Sequence, residues 1–319
     1  MVLGPVFHKL NQKRLVIVSH ALLQVVPFAA LPLPGLPTPN ASREALLVKH
    51  EIVNLPSASV LAVLRQRVPR AQPGRTLAIV ADPVFSRRDE RFTSLSNKKT
   101  REVAYANPVR ISTAAQSAGG VSPEQSLPRL FNTRWEATKI ASFVPQKESL
   151  IALDFSANKN FVATPEFAQA RFLHFATHTV LNDEQLELSG IALSNFDAEG
   201  HKRDGFLRTS DIYRLRLLAN LVVLSSCQSA LGKEVKGEGL VGLTHGFMYA
   251  GAPRVVASLW TVSDNPTAQL MAQFYGGMLG RERMSPAAAL RGAQLSMLKD
   301  KRWRAPYFWS GFVLQGEWR

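Results

Sequence analysis

The sequence predicts an α/β fold in which helices cover both faces of a mostly parallel sheet. The first observation is a series of short, near-continuous apolar runs, and the second is that helical patterns separate them. Strands that are apolar on both faces are typical of parallel sheets buried between two helical layers. The predicted strands are residues 15–18, 77–81, 172–176, 221–224, 255–259 and 308–314.

Three predicted helices begin with the same device, a polar capping residue followed by proline. These starts are Thr164-Pro165, Asn265-Pro266 and Ser285-Pro286. Proline is tolerated at the first helical position because the N–H that it lacks would have no partner there. A fourth helix is predicted over residues 137–144, where apolar side chains recur at i, i+3, i+4 and i+7.

The amino-terminal apolar stretch, Leu15 to Ala30, follows basic residues in the way a secretory signal does. His20 and Gln24 interrupt the stretch, so we interpret residues 15–18 as a buried strand and expect a cytoplasmic protein. No apolar run reaches the roughly 20 residues of a membrane span, and we expect no membrane partner.

Positive charge is concentrated in the first half of the chain. Lys and Arg number 38 against 24 Asp and Glu, and residues 1–150 hold 20 of the basic and 9 of the acidic residues. A basic half suits an acidic partner, but a basic solvent-exposed surface explains it equally well, and no nucleic-acid motif is present. We therefore expect nucleic acid to be at most an indirect partner. The densest basic patch, residues 87–101, is interpreted as a solvated loop.

Two reactive residue types follow neighbouring predicted strands. His178 comes after the strand that ends near Thr177, and Cys227, the single cysteine, comes after Ser225-Ser226. In open α/β sheets, reactive side chains lie just beyond the carboxyl ends of the strands. A thiol and an imidazole together make a nucleophile and a proton carrier. The alternatives are a buried structural cysteine and a strand-end packing histidine.

Other motifs do not indicate a cofactor or a metal. Gly237 to Gly242 matches a dinucleotide-binding glycine pattern, but ten residues separate it from the preceding strand. His174 and His178 would lie about 13 Å apart in a strand, which is too far for one zinc ion. We interpret His174 as a residue packed within the sheet.

Several sequence blocks together resemble the CHAT domain, a bacterial caspase-like domain that often accompanies tetratricopeptide repeats. The resemblance extends over about residues 14–318. The blocks are His-Phe-Ala-Thr-His at 174–178, Val-Leu-Ser-Ser-Cys-Gln-Ser at 223–229, Gly-Glu-Gly-Leu at 237–240, Ala-Gly-Ala at 250–252, Val-Val-Ala-Ser-Leu-Trp-Thr-Val-Ser-Asp at 255–264, Phe-Tyr at 274–275, and the upstream segments 26–32 and 81–85.

The resemblance implies a caspase-hemoglobinase-like three-layer αβα sandwich and a cysteine endopeptidase acting on protein substrates. It implies that Cys227 attacks the scissile carbonyl, that His178 is the acid and base, and that backbone N–H groups of Thr179 and Cys227 hold the oxyanion. Asp264 stands where the related separase carries an acidic residue that binds a basic side chain, so we expect cleavage after Arg or Lys. A carboxylate at a helix N-terminus is an equally good interpretation of Asp264.

The resemblance also implies an organisation and a mode of regulation. Residues 14–130 are expected to form an amino-terminal subdomain, a candidate pseudo-protease, and residues 131–318 the subdomain with the dyad. A tetratricopeptide-repeat region or a separate activating partner is expected to control activity. Thr179 and Ala230 stand where the family commonly has glycine, so a catalytically weak or inactive scaffold is the alternative function.

Overall fold

The structure is a computed structural model of the 319-residue chain. It describes residues 3–10, 14–33, 44–66, 74–92, 127–181, 189–225, 228–229 and 238–318. Within these parts of the chain, no helix combines the length and apolar character that crossing a bilayer requires.

Twelve strands within the described residues form two sheets. An eight-stranded sheet has the order β1-β2-β12-β11-β9-β5-β3-β4, and a four-stranded sheet has the order β10-β6-β7-β8. The strands are β1 Leu15–Val18, β2 Ile52–Leu55, β3 Arg75–Pro83, β4 Ser149–Asp154, β5 Ala170–Ala176, β6 Thr179–Leu181, β7 Gly190–Ala192, β8 Phe206–Arg208, β9 Leu221–Leu224, β10 Gln228–Ser229, β11 Arg254–Ser258 and β12 Phe312–Gly316.

Ten α-helices of the described residues lie between these strands. They are α1 Phe7–Leu10, α2 Leu46–Lys49, α3 Ala58–Gln66, α4 Asn132–Ala141, α5 Lys159–Val162, α6 Pro165–Ala168, α7 Thr209–Arg214, α8 Glu238–Ala250, α9 Asp264–Leu279 and α10 Pro286–Lys299. As predicted, Thr164 and Ser285 cap α6 and α10 by accepting backbone N–H bonds.

The large sheet separates two hydrophobic cores. Successive side chains of a strand point to opposite faces, so Ala78 and Val80 of β3 belong to one core while Leu77 and Ile79 belong to the other. Helices α6, α7 and α8 contribute to the first core, and α4, α9 and α10 to the second. The predicted αβα sandwich with a mostly parallel sheet is therefore confirmed.

Three local predictions need correction. Residues 15–18 form a strand, but it is an edge strand, and Val18 is 53% exposed. Helix α9 begins at Asp264 with Ser263 as its capping residue, so Asn265-Pro266 lies inside the first turn. The predicted strand over residues 308–314 starts too early, because β12 begins only at Phe312.

One reversal of direction divides the large sheet. Strands β11 and β12 pair antiparallel, and every other neighbouring pair in this sheet is parallel. The five strands β11, β9, β5, β3 and β4 are therefore adjacent and point the same way. Their carboxyl ends all meet at one edge, where a parallel sheet presents side chains from its loops.

Candidate active site

Five polar residues follow the five parallel strands at this shared edge. Asp264 comes after β11, Cys227 after β9, His178 after β5, Asp82 at the end of β3, and Asp154 at the end of β4. Two of these positions have unusual backbone: Asp82 and Asp154 adopt φ values of 48° and 53°. Such left-handed conformations turn the chain sharply where each strand ends.

His178 is held by one backbone carbonyl and one aromatic ring. Its side chain is nearly buried, at 4% exposure, and its Nε2 lies 2.7 Å from the carbonyl oxygen of Pro128. The ring of Phe85 packs against the imidazole with 5.4 Å between ring centroids. Nδ1 is buried and has no hydrogen-bond partner among the described residues.

These contacts define the protonation state of His178. A carbonyl oxygen only accepts, so Nε2 must carry the proton and donate it, which leaves a neutral ring with its lone pair on Nδ1. Burial lowers the pKa of the His178 imidazole, and the hydrogen bond to Pro128 only partly opposes that effect. The neutral ring therefore presents Nδ1 as a proton acceptor.

Cys227 itself lies outside the described residues, but the chain on both sides of it is placed. Before it, Leu224 pairs with Phe175, and the N–H of Ser225 donates to the carbonyl of Phe175 at 3.0 Å. After it, Gln228 pairs with Val180. The backbone flanking Cys227 thus runs beside the backbone flanking His178, although the two strands are distant in sequence.

Thr179 continues directly from His178 into β6 and is fully buried. Its Oγ1 has no hydrogen-bond partner among the described residues. The described non-glycine residues with left-handed backbone are Asp82, Asp154 and Arg283, so Thr179 does not need the freedom of glycine. Ala230, the second departure from the family pattern, lies outside the described residues.

Asp264 is the first residue of α9, and its side chain caps another helix, α4. Its Oδ2 accepts the backbone N–H of Asn132 at 2.8 Å and the Asn132 side-chain amide at 3.0 Å, at the start of α4. Burial raises the pKa of Asp264; the bonds from Asn132 oppose this, and the charges of Glu136 and Asp82 add to it. Its role as a helix-terminal carboxylate is therefore directly visible.

Asp264 also lines a small polar cavity that sequence reasoning did not anticipate. Ser225, Glu136 and Thr267 line the same cavity, so it lies beside the segment that leads to Cys227. Glu136 Oε2 and Thr267 Oγ1 are buried without hydrogen-bond partners among the described residues. The cavity is about the size of one water molecule, and a water there would have polar partners on several sides.

His174 is packed within the sheet, as predicted, and makes a polar contact as well. Its Nε2 lies 2.8 Å from Glu136 Oε1, and both side chains are at most 1% exposed. Tyr275 meets the His174 ring edge-on at 5.3 Å between centroids. Glu136 occupies an otherwise apolar helix face, and a lone acidic residue on a predicted core-facing stripe was the signal that could have marked it.

A dense ion network lies at the ends of β3 and β4. The Asp82 side chain is completely buried and accepts from Arg129, Arg134 and Arg91 at 2.8, 3.0 and 3.1 Å. Arg91 also binds Asp154 at 2.8 Å and is only 11% exposed. The prediction of a solvated loop is therefore wrong for Arg91, because three carboxylates, those of Asp82, Asp154 and Asp89, compensate its burial.

A surface turn holds a group of metal-type ligands, Asp197, Glu199 and His201. Asp197 Oδ2 already accepts from Arg203 at 2.7 Å and from His201 at 3.1 Å. A guanidinium beside the same carboxylate opposes a bound cation, so we interpret the group as a salt-bridged turn.

Comparison with solved structures finds similarity to two cysteine-peptidase folds at low identity. The separase–securin complex of Saccharomyces cerevisiae matches with 13% identity and a TM-score of 0.43, over 83% of this chain and 14% of that one. The Arg-specific cysteine proteinase gingipain R matches with 10% identity and a TM-score of 0.48, over 84% of this chain and 54% of that one.

Curated relatives are long proteins of which this chain matches a small part. Tetratricopeptide repeat protein 28 of Mus musculus is 26% identical over 313 residues, and its Homo sapiens counterpart is 25% identical over 314. Each alignment includes 96% of this chain, which spans about 12% of the relatives' length. The CHAT domain model matches residues 1–317, nearly the whole sequence, and the chain therefore belongs to the CHAT domain family.

Proposed function

We propose that this protein is a cysteine endopeptidase in which Cys227 is the nucleophile and His178 the acid and base. The observation that carries the proposal is the fixed tautomer of His178. Its Nε2 lies 2.7 Å from the carbonyl oxygen of Pro128, and its Nδ1 has no hydrogen-bond partner among the described residues. Strand β5, which leads to His178, pairs with β9, which leads to Cys227.

The proposed reaction begins with proton transfer from the Cys227 thiol to Nδ1 of His178. The thiolate attacks the scissile carbonyl carbon, and the carbonyl π electrons move to the oxygen. The intermediate collapses with cleavage of the C–N bond, and Nδ1–H gives its proton to the leaving amine. A water molecule, deprotonated by Nδ1, then hydrolyses the thioester and regenerates the thiol.

Backbone N–H groups of Thr179 and Cys227 are the proposed donors to the oxyanion. Loss of one such donor typically costs about 10²–10³-fold in rate. Thr179 is the first residue of β6, and the pairing of β6 with β7 holds its backbone extended, which supports this role.

The proposed specificity is for Arg or Lys before the cleaved bond, with Asp264 as the binding residue. The position of Asp264 beside Ser225, in the segment that leads to Cys227, supports it, because a carboxylate there would pair with a guanidinium or ammonium group near the nucleophile. The bonds from Asn132 do not exhaust Asp264, since Oδ1 is not used by them.

Regulation and organisation follow the same proposal. The name of the curated relatives supports association with a tetratricopeptide-repeat region. A separate activating partner and a cytoplasmic location belong to the same proposal. We keep residues 14–130 and 131–318 as proposed subdomains. Strand β3 lies between β4 and β5, so the two would share one sheet and one hydrophobic core on each face.

Covalent labelling tests the proposed dyad. An arginine-based acyloxymethyl ketone should label the chain at Cys227, and Cys227→Ala and His178→Gln should each abolish labelling. New protein termini in cells that express the native chain, absent with Cys227→Ala, should follow Arg or Lys. Termini after apolar residues would refute the role of Asp264 while leaving the dyad intact.

A non-catalytic interaction module is the second candidate. The observation that favours it is the burial of the site: His178 is 4% exposed and Thr179 is fully buried, which leaves little access for a peptide. If neither an arginine-based nor an apolar ketone probe labels Cys227 in the presence of the repeat-containing partner, the protein is a non-catalytic interaction module.

A further inference from the structure

The carbonyl that orients His178 belongs to a segment without regular secondary structure. Pro128 lies in residues 127–131, which form neither helix nor strand, and the chain just before Leu127 lies outside the described residues. Helix α4 begins only at Asn132. The Pro128 carbonyl is not held by the hydrogen bonds of a helix or a sheet, so we infer that side-chain contacts fix its position.

Arg129, the next residue, makes that contact with a buried carboxylate. Its Nε donates to Asp82 Oδ1 at 2.8 Å and its Nη2 to Asp82 Oδ2 at 2.8 Å, a two-pronged geometry that fixes both distance and orientation. The Asp82 side chain is 0% exposed and that of Arg129 19% exposed. Among charged pairs, a bidentate and desolvated one is the most directional.

The pairing of β3 with β5 fixes the position of Asp82 relative to the histidine. Ala81 pairs with Ala176 between β3 and β5, so Asp82 and the residues that lead to His178 leave neighbouring strands at the same height. Three residues later, Phe85 packs on the His178 ring. Residues 82–85 thus include both the ring that packs on the imidazole and the carboxylate that binds Arg129, the residue after the hydrogen-bond acceptor.

We propose that Asp82 is a positioning residue for His178, acting through Arg129 and the Pro128 carbonyl. Asp82 does not touch the imidazole. It holds the carbonyl so that Nε2 stays protonated and Nδ1 stays the acceptor. This inference rests on the proposed role of His178 in catalysis, but the hydrogen bond that it concerns is measurable whether or not the protein cleaves peptides.

The test uses histidine-labelled protein and the Nε2–H proton of His178, assigned by its absence in His178→Gln. The variants are Asp82→Asn and Arg129→Lys; lysine keeps the charge but cannot bond both carboxylate oxygens. The matched control is Asp154→Asn, which removes a carboxylate from the same network. Asp154 binds Arg91 and Arg134, and none of its ion pairs within the described residues involves Arg129.

In the native chain we expect a slowly exchanging Nε2–H proton and a single tautomer. In Asp82→Asn and Arg129→Lys, exchange should be at least about tenfold faster and the Nδ1–H tautomer should appear, while Asp154→Asn stays native. Peptidase kcat/KM should fall by about 100-fold in the first two variants, the usual cost of a misplaced group.

Unchanged exchange and tautomer in folded Arg129→Lys would overturn the inference, as would an equal change in Asp154→Asn. If Asp82→Asn does not fold, Arg129→Lys decides, because Arg129 is partly exposed and its replacement keeps the charge. If the spectra change as expected but the native chain has no peptidase activity, the proposed function is refuted and the positioning role of Asp82 is supported.

Discussion

Replacement of Asp264 separates its capping of α4 from its proposed binding of a basic side chain. Asp264→Ala removes an acceptor that takes two N–H donors from Asn132 at 2.8 and 3.0 Å. Loss of a helix-capping side chain costs about 0.5–2 kcal/mol. The site is partly buried, so we expect the upper end, a decrease of about 2 kcal/mol in the free energy of unfolding.

Asp264→Asn is the matched variant, because its amide oxygen can still accept both bonds. Only the charge is removed, and because burial raises the pKa of Asp264 we expect Asp264→Asn to be at least as stable as the native chain above that folded-state pKa. If Asp264 binds Arg or Lys, both variants should lose cleavage after basic residues by about 100-fold or more, since an unpaired buried cation costs several kcal/mol. Urea denaturation and kcat/KM on paired arginine and norleucine peptides measure the two effects.

The pH dependence gives an internal check on Asp264. Its pKa in the folded state is raised, so the folded protein holds this proton more tightly than the unfolded chain does. Its contribution is therefore greatest below about pH 4, the ordinary value, and is lost as pH rises through the folded-state pKa. As pH rises through the folded-state pKa, the free energy of unfolding of the native chain should therefore fall relative to that of Asp264→Asn. Equal loss of stability in both variants, with cleavage unchanged, would refute the reasoning.

Three further predictions use neighbouring residues. Glu136→Leu should lower the free energy of unfolding by about 2 kcal/mol, since it leaves the buried Nε2 of His174 without its hydrogen-bond partner; urea denaturation tests this, and stability equal to that of the native chain would contradict it. The stabilisation due to neutral His178 should be complete above about pH 6.5 and decline as pH falls toward its lowered folded-state pKa, a decline that His178→Gln should abolish in thermal scans. Thr179→Val should raise stability by about 1 kcal/mol because it removes a buried hydroxyl without a partner in the described structure, and a destabilised variant would show that the hydroxyl is bonded.

The strands were largely predictable because apolar runs are a local signal. The sheet's central strands β3, β5, β9 and β11 match predicted runs closely. Strands β2, β4, β6, β7, β8 and β10 were not predicted. Each is short or mixes polar with apolar residues, and β6 has three residues whose pairing partners are distant in sequence. Pairing with distant segments, rather than local pattern, decides such strands.

The sequence predicted that His178 and the segment before Cys227 follow neighbouring strands. The apolar runs, which are local, indicate where each strand ends, and the general rule for open α/β sheets says that these ends carry the reactive side chains. Sequence alone also indicated the family and the residues proposed for the dyad. Those conclusions depend on short blocks of neighbouring residues, each of which can be identified without knowing what it packs against.

Only the tertiary structure decided which groups surround the histidine. The Pro128 carbonyl lies 50 positions from His178, and Glu136 lies 38 from His174. The buried Asp82 meets three arginines from two segments. Backbone carbonyls carry no residue-type signal, and a charge becomes costly or useful only when folding removes it from water. The physical reason is that desolvation and orientation are properties of the assembled core.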